Sequence, residues 1–95
     1  MSDIIKIAKE DFGVLAVCAI RYCQGRQTYM PELVRGILRP YLEDLLDRDL
    51  QVMINECEDQ ELMGNYGDPW IDKPGWVEWK NALLEEQKSR KELDS

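Results

Sequence analysis

The sequence contains no histidine, and this absence narrows the chemistry open to the protein. Histidine is the side chain whose ordinary pKa lies closest to neutrality, so a general base near pH 7 would have to be another residue. The only serines are Ser2, Ser89 and Ser95, and no histidine is present to activate a cysteine nucleophile. We therefore expect no catalytic residues and no enzymatic activity.

Metal-binding and cofactor signatures are also lacking. The three cysteines, Cys18, Cys23 and Cys57, form no C-x-x-C pair, so a zinc site is not expected. Asp47-x-Asp49 lacks the loop glycine and the closing glutamate of a calcium site. We predict no metal and no cofactor. Cys18 and Cys57 fall on apolar helical faces and should be buried as small hydrophobic residues, whereas Cys23 is the candidate for a reactive thiol.

Long apolar runs are absent as well. No stretch approaches the roughly 18–20 apolar residues that a membrane-spanning helix needs, and residues 1–6 do not read as a secretory signal. We expect a cytoplasmic protein without membrane contact. Ninety-five residues predict one domain, residues 1–95.

The apolar pattern predicts an all-α fold of four or five short helices. Apolar residues at positions 4, 8, 12, 15, 19 and 22 follow the helical period, and no segment alternates with the period of a strand. Pro31 suits the start of a helix, and Pro40 ends or kinks that helix. Asp47 and Asp72 mark the starts of two further helices. The charged segment 85–95 is expected to be helical at first and to fray at its end. The predicted core consists of Leu15, Cys18, Leu33, Ile37, Leu50, Met53, Ile54, Cys57, Trp76, Trp79 and Leu83.

Negative charge is concentrated in one part of the chain. Residues 41–72 hold ten acidic residues and one basic residue, and the whole chain has a net charge of −7. Such a field repels nucleic acid and anionic membranes and attracts cationic surfaces. One interpretation is a DNA mimic, whose carboxylates occupy a basic nucleic-acid groove on a target protein. The other is a solvated helix face that keeps the protein soluble.

An aromatic loop, residues 64–72, follows the predicted acidic helix, residues 47–61. Trp76 and Trp79 stand on a helical stripe and are expected in the core, whereas Trp70 lies in a loop with no periodic partner. Contact with a partner and packing as an intramolecular lid are equally open for Trp70. The residues predicted to bind a partner are Asp47, Asp49, Glu56, Glu58, Asp59, Tyr66, Asp68 and Trp70.

A cluster of arginines supplies the alternative site. The residues are Arg21, Arg26, Tyr29, Arg35 and Arg39. Arginine forks beside a helix start could hold a nucleotide or cyclic nucleotide, and the protein would then sequester a signal as a helical oligomer. The other interpretation is that these arginines pair with the chain's own acidic residues.

Three blocks of sequence carry a resemblance to other proteins. They are Arg21-Tyr22…Gly25-Arg26…Thr28-Tyr29-Met30-Pro31, Arg48-Asp49-Leu50…Val52-Met53-Ile54…Cys57-Glu58, and Tyr66-Gly67-Asp68…Ile71-Asp72…Pro74…Trp76…Trp79-Lys80. In these blocks the chain resembles small acidic proteins carried by phages and prophages of Gram-positive bacteria. Such genomes often encode inhibitors of host defence, including anti-CRISPR proteins.

The resemblance implies a phage protein acting in the cytoplasm of a bacterial host cell. With the acidic segment, it favours a non-enzymatic inhibitor that binds a host nucleic-acid-processing or defence protein, such as a CRISPR effector, through a basic surface on that target. The protein would not bind nucleic acid directly, and it could form a homodimer. The alternatives are the nucleotide-sequestering oligomer and a phage accessory protein.

Overall fold

The computed structural model describes residues 6–23, 30–64 and 71–94, and in these ranges every regular element is helical. Helix α1 spans Lys9–Cys23 and α2 spans Met30–Leu38. A 3₁₀ helix, Arg39–Asp44, continues directly from α2. Helix α3 spans Asp47–Leu62 and α4 spans Lys73–Asp94. The predicted all-α fold of four or five helices is confirmed.

Local sequence explains where these helices begin and end. Pro40 has no backbone N–H to donate, so α2 tightens into the 3₁₀ helix at this point. Gly64 follows α3 with a φ of 75°, a left-handed conformation that glycine adopts without strain. At the start of α4 the Gly75 amide donates to Asp72 Oδ1 at 3.2 Å, which caps the helix.

Long-range contacts define how the helices pack. Lys9 Nζ lies 3.9 Å from Asp44 Oδ1. The rings of Phe12 and Tyr41 pack edge to face, with their centres 6.2 Å apart. The start of α1 therefore lies beside the 3₁₀ helix, and α1 and α2 form an antiparallel hairpin. Helices α3 and α4 are also antiparallel, because Glu61 pairs with Lys80 near one end and Asp47 with Arg90 near the other.

The core lies where α3 and α4 meet α1 and the 3₁₀ helix. The predicted core positions of α3 and α4 are confirmed, and each of them is almost completely shielded from solvent. Ile20, Leu38 and Leu42 complete the same cluster from the other side. The buried positions predicted from the α3 and α4 stripes are Leu50, Met53, Ile54, Cys57, Trp76, Trp79 and Leu83.

The four core positions predicted on α1 and α2 are wrong. Leu15, Cys18, Leu33 and Ile37 are exposed, while Gly13, Ala16, Ile20 and Cys23 of α1 are buried. Helix α1 is apolar on almost every side, so periodicity alone did not fix its orientation. On α2 the expected core position is taken by Arg35. The thiols are therefore reversed: Cys18 is exposed and Cys23 is buried.

Most of the charged C-terminal segment belongs to α4. Helix α4 continues to Asp94, and Arg90 ties its last turns to the rest of the fold through Asp47 and the Leu42 carbonyl. These tertiary bonds hold the end of α4 in place. None of the helices in the described ranges is long and apolar enough to cross a membrane.

Candidate functional site

The acidic segment is paired much more extensively than its sequence indicates. Arg21 Nε donates to Glu56 Oε1 at 2.6 Å, and Lys80 Nζ lies 3.2 Å from Glu61 Oε2. These bases come from α1 and α4 and are distant in sequence. The tertiary structure thus supplies the positive charge that is missing at neighbouring positions of α3.

Arg90 is the most connected of these bases. It donates to Asp47 Oδ1 at 2.7 Å, to Glu86 Oε2 at 2.9 Å and to the Leu42 carbonyl at 3.0 Å. Partial burial by itself would lower the pKa of Arg90, but the hydrogen bonds to Asp47 and Glu86 outweigh it and raise that pKa. Asp47 therefore has a structural partner inside the chain.

Asp49 corrects the prediction of a uniformly exposed acidic face. It is only 8% exposed and lies against Gly13 of α1, where a glycine leaves room for its carboxylate. Its Oδ2 atom accepts no hydrogen bond from the described part of the chain. The sequence placed Asp49 on the solvent side of α3, but the close packing of α1 onto α3 covers it. It cannot contact a partner without a change in this packing.

The predicted acidic residues that stay free lie near the end of α3. No basic group in the described ranges is within ion-pair distance of Glu58 or Asp59. Both are exposed, and one turn further on stand two exposed apolar residues, Leu62 at 86% and Met63 at 69%. Residues three and four apart are neighbours on a helix surface. Glu58, Asp59, Leu62 and Met63 therefore form one surface, which we call the α3 patch.

Leu62 and Met63 were missed in the sequence reading. A signal was present, because at about 100° per residue Leu62 falls about 140° from Cys57, outside the core stripe of α3. An apolar residue that leaves the stripe of its own helix is a candidate for an interface.

Arg35 is a structural residue rather than a free phosphate-binding group. It is 7% exposed, its guanidinium carbon lies 4.5 Å from the centre of the Trp76 ring, and NH2 donates to Asp72 Oδ2 at 2.5 Å. The aromatic face and the carboxylate together hold the buried cation. Arg35 thereby connects α2 to the start of α4.

Of the other arginines of the cluster that the structure describes, Arg21 pairs elsewhere and only Arg39 lies near Arg35. Arg21 pairs with Glu56, and Arg39 lies 3.5 Å from Glu78. Arg35 and Arg39 line one cavity of about 240 Å³, but Glu32, Asp72 and Glu78 line it as well. Its volume is below the roughly 300–1,000 Å³ of typical ligand pockets, and its lining carries three acidic and two basic side chains, an excess of negative charge that is unfavourable to a phosphate. This geometry disfavours a nucleotide site and favours pairing within the chain.

The remaining predicted site residues cannot be placed. Arg26 and Tyr29 of the arginine cluster, and Tyr66, Asp68 and Trp70 of the aromatic loop, lie outside the described residues. Among the residues that the structure describes, no three acidic or cysteine side chains come together as a metal site. No protein-family model, curated protein or solved structure matches this chain.

Proposed function

We propose that this protein is a non-enzymatic inhibitor that binds another protein through the α3 patch. The observation that carries the proposal is the combination of two carboxylates without an ion pair in the described ranges, Glu58 and Asp59, with two highly exposed apolar side chains, Leu62 and Met63. Adjacent exposed apolar side chains bordered by polar groups are typical of interaction surfaces, and the flanking carboxylates select the charge of the partner.

The position of the carboxylates on the helix supports a cationic partner. The last turn of α3 has no basic residue, and the C-terminal end of a helix carries a partial negative charge. Carboxylates at this end are unfavourable to the isolated helix by about 0.3–1 kcal/mol each. A lysine- or arginine-rich surface on a partner would offset both the charge of the carboxylates and the partial negative charge of the helix end.

The class of target follows from this charge. Basic, apolar-lined grooves are typical of proteins that bind nucleic acid, since they neutralise phosphates. We propose that the α3 patch occupies such a groove on a nucleic-acid-processing or defence protein of a bacterial host, and that the protein is phage-encoded and anti-CRISPR-like. Compared with the sequence interpretation, the contact surface is smaller, because Asp47, Asp49 and Glu56 are engaged within the fold.

The test compares two double variants with the same change in charge. Glu58→Lys with Asp59→Lys alters the α3 patch, and Glu43→Lys with Glu85→Lys alters exposed carboxylates elsewhere. Each reversal adds two charges, so both variants go from −7 to −3. Proteins captured from a bacterial lysate by the wild-type chain are purified, and their nucleic-acid binding is measured with each variant as competitor.

We expect the wild-type chain and the Glu43/Glu85 variant to inhibit nucleic-acid binding and the Glu58/Asp59 variant to lose inhibition at least tenfold. Leu62→Ser should weaken it as well, with little effect on stability because Leu62 is exposed. Equal inhibition by both double variants would rule out the α3 patch. A ligand-sequestering protein would instead raise its melting temperature with an added nucleotide and show no such competition.

A further inference from the structure

A second unexplained surface lies on the outer side of the α1–α2 hairpin. Five large side chains of this side are at least half exposed, although the fold has a well-formed core elsewhere. The start of α1 lies beside the 3₁₀ helix that continues from α2, so α1 and α2 run side by side. These side chains are Leu15, Tyr22, Leu33, Ile37 and Tyr41.

Gly36 marks the centre of the outward face of α2. It is exposed, and a Cβ atom added there would meet no atom within 4 Å. Glycine inside a helix costs about 1 kcal/mol relative to alanine, and no contact within the described part of the chain requires a glycine here. A glycine at such a position leaves room for the close approach of another backbone.

The neighbours of Gly36 form two different edges. At about 100° per residue, Leu33 and Ile37 lie roughly 60° and 100° to one side of Gly36, whereas Glu32 and Arg39 lie roughly 40° and 60° to the other side. One edge is therefore apolar and the other carries one acid and one base. Glu32 has no ion pair in the described ranges, and the contact of Arg39 with Glu78 is long at 3.5 Å.

We propose that this face binds a second copy of the chain, with the two α2 helices antiparallel about a twofold axis beside Gly36. Such an axis brings like edges together. With a rise of about 1.5 Å per residue, Glu32 lies about 6 Å before Gly36 and Arg39 about 4.5 Å after it. Antiparallel pairing therefore places Glu32 of each copy beside Arg39 of the other copy, which gives two equivalent ion pairs.

The apolar edge fits the same axis. Leu33 lies about 4.5 Å before Gly36 and Ile37 about 1.5 Å after it. Across the twofold axis these side chains alternate at even spacing along the seam between the two α2 helices. The glycine notch allows the two backbones to approach, as small residues do where helices pack closely. The charges and the apolar side chains of this face are thus arranged to pair with a second copy of the same face.

The distribution of charge also favours a second copy on this face. Helix α3 carries six acidic residues and one basic residue, whereas α1 has two of each sign and α2 has one of each. Two chains of net charge −7 repel each other least when neutral faces meet. The five side chains offer roughly 400 Å² of apolar surface per copy, which is less than the roughly 800 Å² per partner of a standard interface, so we expect a weak, reversible dimer.

Sedimentation equilibrium over a range of protein concentrations tests the proposal. The wild-type chain should approach twice the 11.1 kDa of one chain, with a dissociation constant on the order of 10 µM, as expected of a small interface. Gly36→Gln should weaken association at least tenfold. The same variant should melt higher than the wild-type chain under dilute conditions, because it improves the helix and meets no clash within one chain.

Charge reversal gives the second arm of the test. Glu32→Lys and Arg39→Glu should each weaken the dimer, and the combined variant should restore association to within about threefold of the wild-type chain, as reciprocal charge pairs do. Glu85→Lys is the matched single-charge control and should have little effect. A chain that stays monomeric up to about 1 mM, or a dimer unaffected by Gly36→Gln and not restored by the combined reversal, would overturn the proposal.

Discussion

The contact between Gly13 and Asp49 offers the sharpest test of how α1 packs on α3. An alanine at position 13 would place its Cβ 2.7 Å from Asp49 Cγ and in overlap with Oδ2. The carboxylate is buried, so it cannot swing into solvent without opening the helix pair. Gly36 provides a matched comparison, because an added Cβ there meets nothing within 4 Å.

Two opposing effects determine how much Gly13→Ala changes the free energy of unfolding. Replacing glycine by alanine inside a helix is favourable by about 1 kcal/mol. Overpacking a closely packed site costs about 1–3 kcal/mol, and displacing a buried carboxylate adds to that cost. We therefore expect Gly13→Ala to lower the free energy of unfolding by about 1–2 kcal/mol, and Gly36→Ala to raise it by up to about 1 kcal/mol.

A double-mutant cycle isolates the contact. In an Asp49→Ala chain the added methyl group would lie 3.4 Å from Cβ of residue 49, an ordinary van der Waals distance. Gly13→Ala should then become neutral or stabilising, so the coupling free energy between the two positions should be about 2 kcal/mol. The free energy of unfolding of the wild-type chain, the two single variants and the double variant is measured by urea unfolding followed by far-UV circular dichroism. The protein concentration is kept where the chain is monomeric.

The comparison between the two glycines decides the outcome. One kcal/mol corresponds to about 4–8 °C in melting temperature for a domain of this size, so opposite shifts for the two variants are resolvable. If Gly13→Ala stabilises the chain as much as Gly36→Ala does, α1 does not pack against Asp49. The burial of Asp49, and the correction to the acidic face that depends on it, would then fail.

Three further predictions concern the core, the buried arginine and the thiols. Leu50→Ala should cost about 2–5 kcal/mol in urea unfolding, since Leu50 is 1% exposed; a cost below about 0.5 kcal/mol would contradict the orientation of α3. Arg35→Ala should cost about 2–3 kcal/mol, because it removes the ion pair with Asp72 and the packing on Trp76. Arg35→Lys should recover only part of that loss, and full recovery would show that the planar guanidinium contact is unimportant. A thiol reagent should modify one cysteine of the native chain, Cys18, and mass spectrometry of the labelled peptides should find Cys23 and Cys57 protected until unfolding.

The sequence predicted some faces of the helices and failed on others for identifiable reasons. On α3 and α4 the apolar residues form a single stripe bordered by charges, so the periodicity of Leu50, Met53 and Trp79 was enough to orient them. Helix α1 is apolar around most of its circumference, and several orientations bury similar area. Gly13 and Ala16 face the core because small side chains allow α3 to approach, which is a property of the helix pair rather than of α1.

The candidate site was predictable only in part. The sequence located an acidic helix and named Glu58 and Asp59, which remain exposed and unpaired within the described ranges. It also named Glu56, whose ion-pair partner Arg21 lies 35 residues away in the chain. The helical pattern predicts ion pairs only between residues three and four positions apart, so it could not predict this partner.

By itself, the sequence determined the helical fold, the ends of the helices at proline and glycine, the core stripes of α3 and α4, and the total charge. These properties depend on neighbouring residues or on composition, and no tertiary contact is needed to deduce them. The tertiary structure alone decided which carboxylates are neutralised, that Arg35 rather than Ile37 faces inward, and that Cys18 rather than Cys23 is exposed. The physical reason is that ion pairs and close helix contacts join residues distant in sequence, and their free energy depends on distances that exist only after the helices pack.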